Sequence, residues 1–173
     1  MAIFQGDTYL CGIFASVIAT TKAVERIIKL KEDYQRELTH TLYEHLDNCG
    51  ELLTVHKEGT TNAQLADYFI CINEKLKIDF DISIQVTRPL YRKKITAKTL
   101  IERIGHYSRM QDTSVLIGLE GKHEHWTTVK VVKRSINLID SSYISRVPIK
   151  NIPKIHTINK RDVFVIRARK HRC

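Results

Sequence analysis

No apolar run in this 173-residue sequence is long enough to cross a bilayer. The longest, Cys11 to Thr20, is interrupted by Ser16 and has no basic stretch ahead of it, which argues against a secretory signal peptide. No Cys-x-x-Cys pair occurs. Cys11, Cys49, Cys71 and Cys173 are widely spaced, against a zinc ribbon or a thioredoxin-type site. There is no arginine–glycine repeat, RNA-recognition aromatic motif, internal repeat, low-complexity tract or flexible linker. These absences leave a globular protein with no transmembrane segment in a reducing compartment. It is expected in the cytoplasm, or exported without a cleaved signal peptide.

What is present fits one domain able to bury a real core: 43% hydrophobic and 27% charged residues. The net charge of +9 is concentrated. From Lys150 to Cys173, eight basic residues stand against Asp162 alone, a net of +7, and Arg88 to Lys98 adds five more with no acid. Such a field attracts an anionic partner or serves as a solvated basic face. The tail contains the run Val163-Phe164-Val165-Ile166, which reads as a last core strand rather than a disordered arm.

Apolar spacing changes along the chain. Helical periodicity covers Cys11 to about Leu30 and Asp33 to Leu46. A third helix spans roughly Ala63 to Asn73, with N-cap candidates in Thr60-Thr61-Asn62, and Thr96 caps another, Ala97 to about Met110. Ile78 to Val86 alternates with a period of two and predicts a strand or an extended crossing. Beyond Asp112 come strands at Ser114–Leu119, His125–Val132, Ser135–Asp140 and Val163–Arg169, with a short one near Ser145–Ile149. A helical part (about 1–110) followed by a sheet part (about 111–173) predicts an α+β fold.

The chemistry-bearing stretch is Gln5-Gly6-Asp7-Thr8-Tyr9-Leu10-Cys11-Gly12. It sets a cysteine at the start of an apolar helix, where unpaired N–H groups and a partial positive charge favour thiolate over thiol. Gly12 leaves room beside the sulfur. Gln5 and the Cys11 N–H are candidate donors to an oxyanion. A free cysteine is commonly just a small buried hydrophobe, so Cys11 gains weight only from partners further along.

A thiol nucleophile needs a base, and the base needs a group to orient it. If Lys133-Arg134 is the loop of the hairpin, Val132 faces Ser135. Asp140 then lies opposite Thr127 and diagonal to His125 on one face. A tip at Val132-Lys133 would set His125 directly opposite Asp140, and an odd-length loop would separate their faces. His123 shares the face of His125 but lies further from Asp140. His123 and His125 could also be two metal ligands, but no third has recognisable spacing, so no metal or other cofactor is expected. Asp140 could equally serve the Asp140-Ser141-Ser142 turn.

Gln5, Cys11, His125 and Asp140, in this order and approximate spacing, resemble the pattern of papain-like cysteine peptidases, most closely those that process bacteriocin leaders. Leu10, Ala15 and Ser141 depart from that pattern, at positions where the group has an acidic or amide residue, a small residue one place earlier, and a proline. The resemblance implies a papain-like α+β fold and a hydrolase cleaving an amide bond of a protein or peptide substrate. In it Cys11 is the nucleophile, His125 the base, Asp140 its orienting group and Gln5 an oxyanion donor. The same superfamily implies alternatives: a toxin or effector domain acting as deamidase, acyltransferase or peptidoglycan amidase. The basic tail keeps a nucleic-acid-binding or nuclease module in view.

Overall fold

The computed structural model describes residues 10–121, 125–132, 135–139, 144–148, 151 and 156–171. Its order is α1 (Cys11–Val24), α2 (Glu32–Asn48), α3 (Leu52–Glu58), α4 (Asn62–Phe80), β1 (Ile82–Thr87), α5 (Ala97–Tyr107), β2 (Thr113–Gly121), β3 (His125–Val132), β4 (Ser135–Ile139), β5 (Ile144–Pro148) and β6 (His156–Lys170). The six strands form one sheet in the order β1-β6-β2-β3-β4-β5, every neighbouring pair antiparallel. This is an α+β fold. No helix among the described residues is long and apolar enough to cross a membrane.

Two cores lie on the two faces of the sheet. On one, Leu116, Phe164, Ile166, Ala168, Ile82 and Ile84 pack with α1, α2 and α4. On the other, Val115, Ile117, Val129, Val131, Ile136, Leu138, Val163 and Val165 pack with Leu100 and Ile104 of α5. The period-two alternation of the strands generates this division. α1 lies against the middle strands. Eleven of its residues are buried, including Ile13, Val17, Ala19, Ala23 and Val24, because α2 and α4 cover the side that the sheet does not. Tyr34 of α2 donates its hydroxyl proton to Asp79 of α4 at 2.8 Å, tying those two helices at the surface.

Several boundaries differ from the sequence expectation. The alternation from Ile78 to Val86 is not one strand: α4 runs on to Phe80, Ile78 is 83% exposed, and Asp81 ends the helix in the left-handed region at φ 54°. The strand starts only at Ile82. α1 stops at Val24, short of Leu30. α3 carries no apolar periodicity beyond the buried Val55, so no pattern signalled it. β6 starts at His156, before the apolar run at Val163, and its outer half pairs with β1, which comes from the part expected to be helical.

The hairpin register follows the first expectation. Val132 lies opposite Ser135 and Thr128 opposite Ile139. The caps also match. Thr96 accepts from Thr99 N–H, and Thr61 forms a reciprocal capping box with Gln64. In that box Gln64 Oε1 accepts from Thr61 N–H at 2.8 Å, while Gln64 Nε2 reaches Glu51 at 2.8 Å. Thr61→Ala is therefore expected to lower stability by about 1 kcal/mol, seen as a lower urea midpoint with an unchanged m value.

Candidate functional site

Cys11 is the first residue of α1, and Leu10 precedes it without a side-chain cap. Ile13 and Phe14 donate their N–H groups to the Leu10 carbonyl at 3.1 and 3.4 Å. The Cys11 and Gly12 N–H groups have no hydrogen bond among the described residues, and no acidic residue occupies the first turn. A helix start of this kind favours an anion on or beside the sulfur. Cys11 is 8% exposed.

Two hydroxyls fix α1 along the sheet. Thr128 of β3 donates to the Ala15 carbonyl at 3.2 Å and Ser114 of β2 to the Ala19 carbonyl at 2.6 Å. Ser114 belongs to the level of Lys130 by the β2–β3 pairing, so α1 runs in the same sense as β3. Four residues back along the helix span about 6 Å, and two back along the strand about 7 Å. Cys11 therefore comes level with Trp126, the residue after His125. An independent contact agrees: the Trp126 indole N–H donates to the Thr60 carbonyl at 2.8 Å, and Thr60 packs against Gly12.

The structure thus brings the start of α1 and the start of β3 to one end of the sheet. It does not put both side chains on one face. Trp126 and Thr128 point toward the α1 layer, so pleat alternation places His125 with Thr127, Val129 and Val131 on the α5 face. A Cys11–His125 contact requires the imidazole to pass round the end of β3. Gln5, His123 and Asp140 lie outside the described residues. The β3–β4 pairing is followed as far as Ile139.

Thr60, offered by the sequence only as an N-cap candidate, packs on Gly12. Thr60 closes over it so tightly that a Cβ at position 12 would sit 2.5 Å from Thr60 Cβ, Cγ2 and Oγ1. Tyr68 of α4 is wholly buried, and burial is the main cause that raises its phenol above the ordinary tyrosine value. A hydrogen bond with the Thr60 hydroxyl pulls it down, while the neighbouring Glu51 and Asp67 push it up. Asp162 of β6 stands nearby: Asn62 donates to it at 2.8 Å, and Arg88 lies 3.7 Å away. A Cβ at Gly118 would come within 2.8 Å of Asp162 and 3.1 Å of Trp126. Nothing in the order of the residues marks Thr60 as a neighbour of Gly12, or Asp162 as a neighbour of Asn62 and Gly118, since they reach that end from different elements.

Cys49 is exposed, with His45 Nε2 4.0 Å from its sulfur, and Cys71 is half-buried, its thiol pushed up by burial and by Glu74 and Asp67. No three His, Cys, Asp or Glu side chains among the described residues are placed to hold a metal ion. No protein-family model matches the chain, and no curated protein matches it.

Gly12→Ala tests the packing at the start of α1. A helix interior ordinarily gains by Gly→Ala, but here the new methyl overlaps Thr60 itself. The expected result is a loss of about 1–3 kcal/mol in urea unfolding, largely recovered when Thr60→Gly is added.

Proposed function

We propose that this chain is a thiol hydrolase of the papain-like type, acting on an amide bond of a protein or peptide. The observation that carries the reading is the convergence of the Cys11 helix start and the His125 strand start at one end of the sheet. In this reading the Cys11 sulfur attacks the carbonyl carbon, forming a C–S bond while the C=O electrons move onto oxygen. The Cys11 and Gly12 N–H groups, with Gln5, receive that charge. His125, oriented by Asp140, takes the thiol proton and returns it to the leaving amine. Water then hydrolyses the thioester. Deamidation and acyl transfer differ only in the leaving group or the acceptor, so the same residues serve a deamidase, acyltransferase or peptidoglycan amidase, including a toxin domain.

Labelling with iodoacetamide near neutral pH tests the thiolate premise. Cys11 is expected to react at least tenfold faster than the more exposed Cys49, and His125→Ala to remove the advantage. Faster reaction at Cys49 than at Cys11 would sink the reading. Comparing the proteome of cells expressing wild type or Cys11→Ala by mass spectrometry then distinguishes cleavage from deamidation.

A second reading, an anion-binding module, is favoured by one observation. α5 covers β2, β3 and part of β6, while Arg167 and Arg169 of β6 and Gln85 and Thr87 of β1 stay exposed on that face of the sheet. Ser83 lies opposite Arg169, and Gln85 opposite Arg167. Single-stranded DNA binding followed by fluorescence anisotropy tests it. Binding at low salt that weakens steeply with added salt is expected, and Arg167→Ala should reduce the log–log salt slope by about 1. No binding at low salt removes this reading.

A further inference from the structure

The last turn of α1, the segment after α5 and the middle of β3 enclose a cavity of about 660 Å³, toward the end of α1 away from Cys11. A cavity of this size accommodates a small ligand. Four basic side chains line it, Lys22, Arg26, Arg109 and Lys130, against two acids, Glu25 and Asp112. Lys22 is taken by Glu25 at 3.3 Å. Arg26, Arg109 and Lys130 make no side-chain hydrogen bond or ion pair among the described residues. The floor has the opposite character. Thr113, Ser114 and Thr128 are buried there. Their hydroxyl protons are already committed: Thr113 donates to the Gln111 carbonyl at 2.8 Å, Ser114 to that of Ala19 at 2.6 Å and Thr128 to that of Ala15 at 3.2 Å. What these oxygens can still offer is a lone pair, and the Asp112 carboxylate adds acceptors beside them. The walls are fixed by the backbone. Ser108 donates to the Gly105 carbonyl at 3.2 Å and accepts from the Val131 N–H at 3.3 Å, holding the end of α5 on β3. The Asp112 carbonyl accepts from the Ala168 N–H at 2.8 Å, and the Ile27 and Ile28 N–H groups close on the Val24 carbonyl at 2.8 and 2.9 Å. Three unpaired cations thus line one preformed cavity, and an anion among them relieves their mutual repulsion.

We propose that this cavity binds a small phosphorylated sugar, free or as part of a nucleotide. Arg26, Arg109 and Lys130 take the phosphate at the rim, where the two guanidinium groups suit its oxygens. The sugar hydroxyls donate to the acceptors of the floor. Inorganic phosphate satisfies the rim alone, and a neutral nucleoside the floor alone, so the two halves of the cavity together select a ligand that carries both groups. Asp112 sharpens that selection: it repels a bare anion and rewards a neighbouring hydroxyl. The fourteen residues of α1 separate this place from Cys11 by about 20 Å. Arg167 and Arg169, which support the anion-binding reading, do not line it. The inference therefore rests on neither reading of the function.

Isothermal titration of the full chain at low salt with ribose 5-phosphate, AMP, adenosine and inorganic phosphate tests the proposal. Ribose 5-phosphate and AMP are expected to bind at one site, at least about tenfold tighter than inorganic phosphate or adenosine. AMP binding more tightly than ribose 5-phosphate assigns the site to a nucleotide, and equal affinity assigns it to the sugar phosphate alone. Arg26→Ala and Arg109→Ala should each weaken both ligands about tenfold, with an unchanged melting temperature because both side chains are exposed. Asp112 sits at φ 50°, which asparagine also tolerates. Asp112→Asn, which keeps an acceptor but removes the charge, should narrow the preference for ribose 5-phosphate over inorganic phosphate about threefold. Saturable binding of neither ribose 5-phosphate nor AMP overturns the inference. So does inorganic phosphate binding as tightly as ribose 5-phosphate, or an affinity unchanged in the Arg26→Ala/Arg109→Ala double variant. A single-stranded DNA oligonucleotide that binds where AMP and ribose 5-phosphate do not gives the basic surface to a polyanion and overturns it equally.

Discussion

The fold depends on the burial of α1 between the sheet and the other helices. A helix apolar on nearly all sides has no solvent face and needs cover all round. The sheet gives one side, α2 and α4 the rest. Close approach to the strands uses small residues: Ala15 and Ala19 expose their carbonyls to Thr128 and Ser114, which donate from the sheet. These two bonds give both hydroxyls partners in a dry interface, where an unmade hydrogen bond costs about 1–3 kcal/mol. They also fix the axial position of the helix, and hence the height at which Cys11 emerges.

That height matters because the start of α1 carries the partial positive charge of a helix N-terminus. It has neither a capping side chain nor an acidic first turn, whereas α4 begins with a complete capping box and α2 with Glu32 and Asp33. Thr61 and Thr96 cap α4 and α5 with their side chains, whereas Leu10 offers no such cap to the helix that carries a cysteine at its first position. Thr60 and Trp126 close this end mechanically, and Asp162 is held a short way off by Asn62 and Arg88. The guanidinium of Arg88 also lies over the rings of Tyr91 and Phe164, so the charge of Asp162 is anchored on several sides.

Much of this was legible in the sequence, for identifiable reasons. The span His125–Val132 and its pairing with Ser135–Ile139 follow from local alternation and a two-residue loop, both short-range properties. Thr61 and Thr96 follow from capping chemistry. The pattern of Ile78 to Val86 misleads because Ile78 and Phe80 continue the phase of the following strand while still belonging to α4. The left-handed turn at Asp81 separates the two elements, and aspartate there gives a weaker signal than glycine. The packing at the start of α1 was not readable, because Thr60 meets Gly12, and Asp162 meets Asn62, only after α4 and β6 have packed. The face of His125 was not readable either. Alternation gives relative parity along a strand, but which parity meets α1 depends on how Trp126 and Thr128 engage that helix.

The placement of β6 has a consequence for how the chain assembles. It is the last of the six strands in sequence, yet it lies between β1 and β2. During synthesis the earlier strands can form only the run β2 to β5, while β1, packed on the helices through Ile82 and Ile84, waits for its strand partner until residues some eighty positions later arrive. Sheet closure is therefore a late, long-range step of the kind that slows folding and exposes apolar edges to aggregation. The Ile84 N–H, which Asn73 of the preceding helix accepts at 2.7 Å, is one edge donor that can be covered before the final strand emerges.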